Sequence, residues 1–250
     1  MRGLFVEPLQ PDTYLPDPLR AVRVIVFDLD DTLYPEHRYV LSGFRAVSAF
    51  LQDQGIAGQD VSPAMWSLFV AGQRGSVFNR VLEDCGIAPA KDLIDTLIDV
   101  YRSHRPDIEL YPDARAVLDY FHLRRPLALL TDGYVQTQTA KIAALSIARY
   151  FDAVMLTDEL GRSCWKPSPA GFERIMLTLG GTPDGYVYIA DNPLKDFAAP
   201  RRLGWHTVWV HRPEGVYSGA SAPDGSFEPS VTVEDLYQAA RLIDAGFISH

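Results

Sequence analysis

The chain has 250 residues, 47% hydrophobic and 22% charged, enough to bury a large core in one α/β domain with a smaller insertion. Its net charge of −9 argues against nucleic acid or an anionic membrane as the main partner, and its longest apolar runs fall far short of a membrane span. Cys85 and Cys164 show no metal or redox spacing, and the six histidines form no zinc-like cluster. Two isolated cysteines suggest a reducing compartment. With no basic region followed by an apolar core at the N-terminus, a cytoplasmic location is expected.

Residues 1–20 hold Pro8, Pro11, Pro16 and Pro18 and are expected to form an extended lead-in. The run Val24-Ile25-Val26-Phe27 then breaks into Asp28, Asp30 and Asp31. An apolar run without polar alternation predicts a parallel strand covered on both faces. The acids mark its carboxyl end, where open α/β sheets bind ligands. Asp28 and Asp30 are two positions apart, so a plain strand points both the same way. Such a pair repels unless a cation intervenes, and Mg²⁺ prefers these hard oxygen ligands.

From about Pro35 to Asp107 the periodicity is helical. Val40, Phe44, Val47 and Leu51 define one helix, ending at Gly55; Val77, Val81 and Leu82 a second, stopping near Gly86; Leu93, Leu97, Ile98 and Tyr101 a third. Residues 35–107 are therefore expected to form a helical insertion in a core made of residues 21–34 and 108–250.

Pro112-Asp113 opens a helix carrying Ala116, Leu118 and Phe121. A second apolar run, 126–130, ends in Thr131-Asp132-Gly133, and a helix over about 135–148 follows. Residues 154–156 predict a short strand. After Lys166-Pro167, Ser168 reads as an N-cap and Pro169 as the first-turn residue of a helix bearing Phe172, Ile175, Met176 and Leu179, closed by Gly180-Gly181. A strand over 186–190 runs into Asp191-Asn192-Pro193-Leu194-Lys195-Asp196. A helix over 194–203, a strand over 207–210, a loop over 212–230 and a helix over 231–247 complete the chain. Strand–helix alternation with short links predicts an α/β fold, a Rossmann-like three-layer core with a parallel sheet.

Asp28-Leu29-Asp30-Asp31-Thr32 resembles the D-x-D-x-T nucleophile motif of the haloacid dehalogenase (HAD) superfamily. Thr131, Lys166 and the stretch from Asp191 to Asp196 resemble its second, third and fourth motifs, in order, over roughly residues 20–212. Two departures stand out. Ala190 replaces the usual Gly before the fourth motif, and Gly161 and Lys166 are five apart rather than three, which extends the loop carrying Lys166 and brings Trp165 toward the site.

The resemblance implies a Mg²⁺-dependent phosphatase of subfamily I, its helical insertion similar to a C1-type cap. Asp28 is then the nucleophile, forming an aspartyl-phosphate. Asp30 is the acid for the leaving oxygen and then the base for water. Asp28, the Asp30 carbonyl and Asp191 hold the metal, with Asp196 bound through water or orienting Lys166. Thr131 and the Asp132 amide bind the phosphoryl oxygens, whose charge Lys166 neutralises. The implied partner is a small phosphorylated metabolite, a sugar phosphate or nucleoside monophosphate. Tyr34, His37 and Arg74, with Arg38 and Arg80 nearby, are the candidates to meet its leaving group. A phosphomutase and a catalytically idle phosphate-binding module are the alternatives. The dehalogenase branch attacks carbon without a metal and lacks an acid at the position of Asp30.

Overall fold

The computed structural model describes residues 17–248. Six parallel strands form one sheet in the order β3-β2-β1-β4-β5-β6: β1 (Val24–Phe27), β2 (Leu127–Thr131), β3 (Ala153–Leu156), β4 (Tyr186–Ala190), β5 (His206–Val210) and β6 (Val231–Val233). Every residue of β1, β2 and β4 is buried, which is why these runs show no polar alternation.

The two faces still separate with a period of two. Ile25 and Phe27 pack with Val117 and Phe121 of α5 (Pro112–Phe121), Ile142 of α6 (Val135–Leu145) and Ile243 of α9 (Leu236–Ile243). Val24 and Val26 face the other way, onto Phe172 and Ile175 of α7 (Ala170–Leu179) and Ala199 of α8 (Ala198–Arg202). Helices cover both faces, the three-layer arrangement expected for a parallel sheet.

Between β1 and α5 the chain builds four helices, α1 (Glu36–Asp53), α2 (Ser62–Val70), α3 (Val77–Asp84) and α4 (Lys91–Ser103). They share a separate apolar cluster that includes Phe44, Leu51, Met65, Val81 and Leu97. Gly43 sets the approach of α1 to α4, since a Cβ there would sit 2.5 Å from the Tyr101 ring.

Several sequence expectations need correction. α2 was not anticipated, because Met65, Trp66, Leu68 and Phe69 leave no clean polar face and hence no helical stripe. Residues 231–233 are a strand rather than the start of a helix; Val-Thr-Val is β-branched throughout, and the helix begins only after Asp235, whose side chain accepts a hydrogen bond from Gln238 N at 2.7 Å. Only Ala198–Arg202 of the expected 194–203 helix is helical. Pro169 is the N-cap of α7, and Ser168 stands one residue before it. Of the expected extended lead-in, Asp17–Ala21 form a 3-10 turn, and residues 1–16 lie outside the described residues.

Candidate active site

Three neighbouring strands end at one place. Asp28 follows β1, Thr131 closes β2 and Asp191 follows β4. The chain connections diverge on either side of β1, so this is the crevice where open α/β sheets bind ligands. Asp28, Asp30, Thr131, Asp132 and Asp191 all line a cavity of about 210 Å³ there.

Lys166 and Asp196 lie buried behind this wall. Lys166 Nζ sits 2.6 Å from Asp28 Oδ1, 2.7 Å from Asp196 Oδ1 and 2.9 Å from the Tyr188 hydroxyl. Burial alone would lower the pKa of Lys166, but Asp196 and Asp28 outweigh it and hold the ammonium well above its ordinary value. The other oxygen of Asp196 accepts from Asn192 N at 3.0 Å, so this acid anchors the lysine and the fourth-motif turn together.

Asp132 is a scaffold. Its Oδ1 accepts from Lys166 N at 3.1 Å and Thr157 Oγ1 at 2.8 Å, and its Oδ2 meets Lys195 Nζ at 2.9 Å. Thr131 Oγ1 accepts from Gln138 Nε2 at 2.6 Å. Gly133, at φ +123°, makes room for that contact, since a Cβ there would stand 3.2 Å from Gln138 Cδ.

Asp30 is gripped from three sides. Lys141 Nζ lies 2.6 Å from its Oδ1, Gln138 Nε2 donates to its Oδ2 at 3.1 Å, and the buried Tyr34 hydroxyl donates to Oδ1. Burial pushes the Asp30 pKa up, yet the charge of Lys141 and these hydrogen bonds prevail and bring it below its ordinary value.

Asp28 and Asp191 go the other way. Burial, offset in part by Lys166, raises Asp28 to about 6. Asp191 lies well above the usual carboxylate range through burial and the charges of Asp196 and Asp28. Carboxylate oxygens of Asp28, Asp191 and Asp196 come within 4.8 Å of one another. The Asp191 carboxylate has no hydrogen-bond donor among the described residues, although its backbone carbonyl accepts from Trp209 Nε1 at 2.7 Å. An under-compensated cluster of hard oxygens is the donor set that suits a small divalent cation.

Asp31 adopts a left-handed backbone, φ 50°, and ties two segments to the site. It accepts from Glu36 N and from Val216 N, each at 2.7 Å. The second bond fixes the loop that delivers Tyr217 to the cavity wall.

Of the cap candidates, His37 is half-buried, its ring 6.4 Å from Trp66, and Arg74 is exposed over Phe69 at 4.6 Å. Tyr34 lies beneath Asp30. None of the three is on the cavity wall. The wall instead includes Glu36, Thr137, Gln138, Lys141, Lys195 and Tyr217, which the sequence reading passed over, and Trp165, which it brought near the site. Gln138 and Lys141 did leave a signal: they put polar groups three apart on the side of α6 that carries buried Ile142 and Leu145.

Residues 22–204 match the model of the haloacid dehalogenase-like hydrolases. The chain belongs to this family. A phosphoserine phosphatase of Thermus thermophilus is 32% identical over 65% of this chain, and the match spans 62% of that enzyme's length. A glyceraldehyde 3-phosphate phosphatase of Methanopyrus kandleri is 28% identical over 76% of this chain and 84% of its own. The N-acylneuraminate-9-phosphatase of Mus musculus is 27% identical over 91% and 96%. In fold, the family member YfnB of Bacillus subtilis, solved with bound magnesium, superposes with TM-score 0.65 at 15% identity, covering 89% of this chain and 99% of that one. A 2-haloacid dehalogenase of Pseudomonas syringae gives 0.61 at 21% identity, covering 90% and 99%.

Proposed function

We propose that this protein is a Mg²⁺-dependent phosphatase of small phosphate monoesters. The carrying observation is that Asp28, Asp30 and Asp191 share one cavity wall while Lys166 is locked between Asp28 and Asp196. Relatives named as phosphatases of small phosphorylated compounds support the reaction class.

Asp28 attacks phosphorus and carries the phosphoryl group as an aspartyl-phosphate. Lys166 neutralises charge on the transferring group, and Thr131 donates to it once Gln138 has oriented its hydroxyl. Lys141, Gln138 and Tyr34 hold Asp30 ionised, the form that takes a proton from the water that frees the phosphate. Giving a proton to the leaving oxygen in the first step requires that grip to loosen when the ester binds. Asp28 and Asp191, with the Asp30 carbonyl, would hold the Mg²⁺, and Asp196 serves mainly to position Lys166. The bound cation supplies the positive charge that lets an anionic ester approach an anionic nucleophile.

The helices of residues 35–107 act as the cap on this reading, with His37 and Arg74 reaching the leaving group only when the cap closes. No helix among the described residues is long and apolar enough to cross a membrane, and the two free cysteines favour a cytoplasmic setting. Phosphate release from a panel of phosphorylated metabolites, assayed with Mg²⁺ and then with EDTA, tests the assignment. Full turnover in EDTA, or accumulation of a bisphosphate instead of free phosphate, overturns it.

A further inference from the structure

The charges of the cavity define what else the ester can carry, an inference that rests on the phosphatase reading. Two ammonium groups, Lys141 and Lys195, reach the wall, and each is already held, by Asp30 at 2.6 Å and by Asp132 at 2.9 Å. Lys166 is engaged behind it. Arg102 and Arg162 lie over the ring of the wall residue Tyr134, at 4.0 and 5.2 Å, but are not part of the wall themselves. Among the described residues the cavity therefore offers no uncommitted cation to a second anionic group.

Two wall groups stand apart from the phosphoryl machinery. Glu36 opens α1 and is half-buried; its backbone N–H is fixed by Asp31, while its carboxylate has no hydrogen bond or ion pair among the described residues. Thr137, 9% exposed on α6, buries a hydroxyl that meets the Tyr39 hydroxyl without good hydrogen-bond geometry. Polar groups enclosed without partners are costly unless a ligand satisfies them. A carboxylate only accepts, so it wants O–H or N–H; a threonine hydroxyl donates and accepts.

We propose that Glu36 and Thr137 form the leaving-group subsite, and that it takes a short polyol- or amine-bearing leaving group and rejects one that carries an acid of its own. Burial and the charge of Asp30 push Glu36 up to about 7, so above that pH a carboxylate or second phosphate would meet an ionised Glu36 at close range in a partly desolvated cavity, where Lys141 and Lys195 are already spent on Asp30 and Asp132. The cavity volume, about 210 Å³, suits a leaving group of a few carbons.

The test uses the intact chain with Mg²⁺ at about pH 8.5, where Glu36 is ionised, and three probes. Glycerol 3-phosphate and 3-phosphoglycerate share a skeleton and differ in a terminal CH₂OH against COO⁻; phosphoethanolamine carries an ammonium. Wild-type kcat/KM for the polyol or the amine should exceed that for the acid by at least about tenfold, the scale of one like-charge contact. Glu36→Gln, which keeps the shape, should shrink that ratio severalfold, and Thr137→Val should raise KM for glycerol 3-phosphate more than it lowers kcat. Equal or faster hydrolysis of the acid by wild type, with Arg102 and Arg162 recruited to it, overturns the proposal, as does an unchanged ratio in Glu36→Gln. Release of phosphate from p-nitrophenyl phosphate by the wild type, abolished by EDTA, reports separately on the phosphatase reading.

Discussion

Lys141 Nζ stands 2.6 Å from Asp30 Oδ1, a contact between residues 111 apart in sequence. The lysine is buried, and its ammonium also lies 4.3 Å from the centre of the Tyr39 ring. It therefore governs the protonation of the residue proposed to exchange protons with both leaving group and water.

Lys141→Met should slow the enzyme in a pH-dependent way. With the ammonium gone, burial dominates and the Asp30 pKa moves up from its lowered position. A larger share of Asp30 is then protonated at any given pH, and it is a poorer base for water. The loss in kcat should deepen toward low pH, reaching about tenfold or more, within the range typical of general-base effects, and shrink as pH rises and Asp30 ionises again. Steady-state profiles with acid-quench measurement of phosphoenzyme check this; a loss independent of pH would tie Lys141 to architecture alone.

Asp28→Asn preserves shape and removes the attacking charge, so turnover should fall by at least about a thousandfold. Asp196→Asn should cost less, because Lys166 keeps its contact with Asp28 at 2.6 Å and loses only the partner at 2.7 Å. Its effect should appear in kcat more than in KM, since Lys166 acts on charge that spreads during transfer. Single-turnover phosphate release on both variants provides the comparison.

Mg²⁺ should raise the melting temperature, and by more at pH 8 than at pH 5. In the metal-free protein Asp28 is raised to about 6 and Asp191 lies well above its ordinary value. The folded state thus holds protons that the unfolded chain has released above about pH 4, and metal-free stability declines as pH rises through that window. Metal competes with those protons, so its stabilisation grows in the same direction. Asp191→Asn should abolish the Mg²⁺ shift and leave the metal-free protein at least as stable as wild type at pH 8. Thermal scans across pH, with and without Mg²⁺, decide this.

What the sequence revealed and what it hid follow from range. Three of the four motifs sit at strand ends, where an apolar run stops at a polar residue; that break is visible locally, so Asp28, Thr131 and Asp191 could be read directly. The sheet followed from the same runs. Glu36, Thr137, Lys195 and Tyr217 reach the cavity from a helix start, a helix face, a turn and a loop, and nothing local marks them as neighbours. Tyr217 depends on Asp31 capturing Val216 N, 185 residues away in sequence, a contact no periodicity encodes. β6 was misread because three β-branched residues before an amphipathic helix share its apolar pattern.

Asp113 should prove one of the costliest polar positions outside the active site. Its Oδ2 lies 2.9 Å from Arg212 Nη1 and accepts from Leu236 N at 2.8 Å, while Oδ1 accepts from Arg212 Nη2 at 3.1 Å and from Ala114 N at 2.8 Å. One carboxylate thus closes the start of α5, the start of α9 and the root of the 212–230 loop. Asp113→Ala leaves the buried Arg212 guanidinium with only the Thr32 carbonyl, at 3.2 Å, and the Tyr111 ring, at 3.9 Å. Removing one partner of a buried pair costs about 3–5 kcal/mol, because the remaining charge stays desolvated. Asp235→Ala removes the N-cap of the same α9 but only one hydrogen bond, to Gln238 N, and should cost about 1 kcal/mol. Urea unfolding of the two variants separates these magnitudes. Arg212 also roots the loop that carries Tyr217, so Asp113→Ala should raise KM for the natural ester even where the protein remains folded. Equal destabilisation by the two substitutions would mean that Arg212 finds water once Asp113 is gone, and that the pair is less sealed than its geometry indicates.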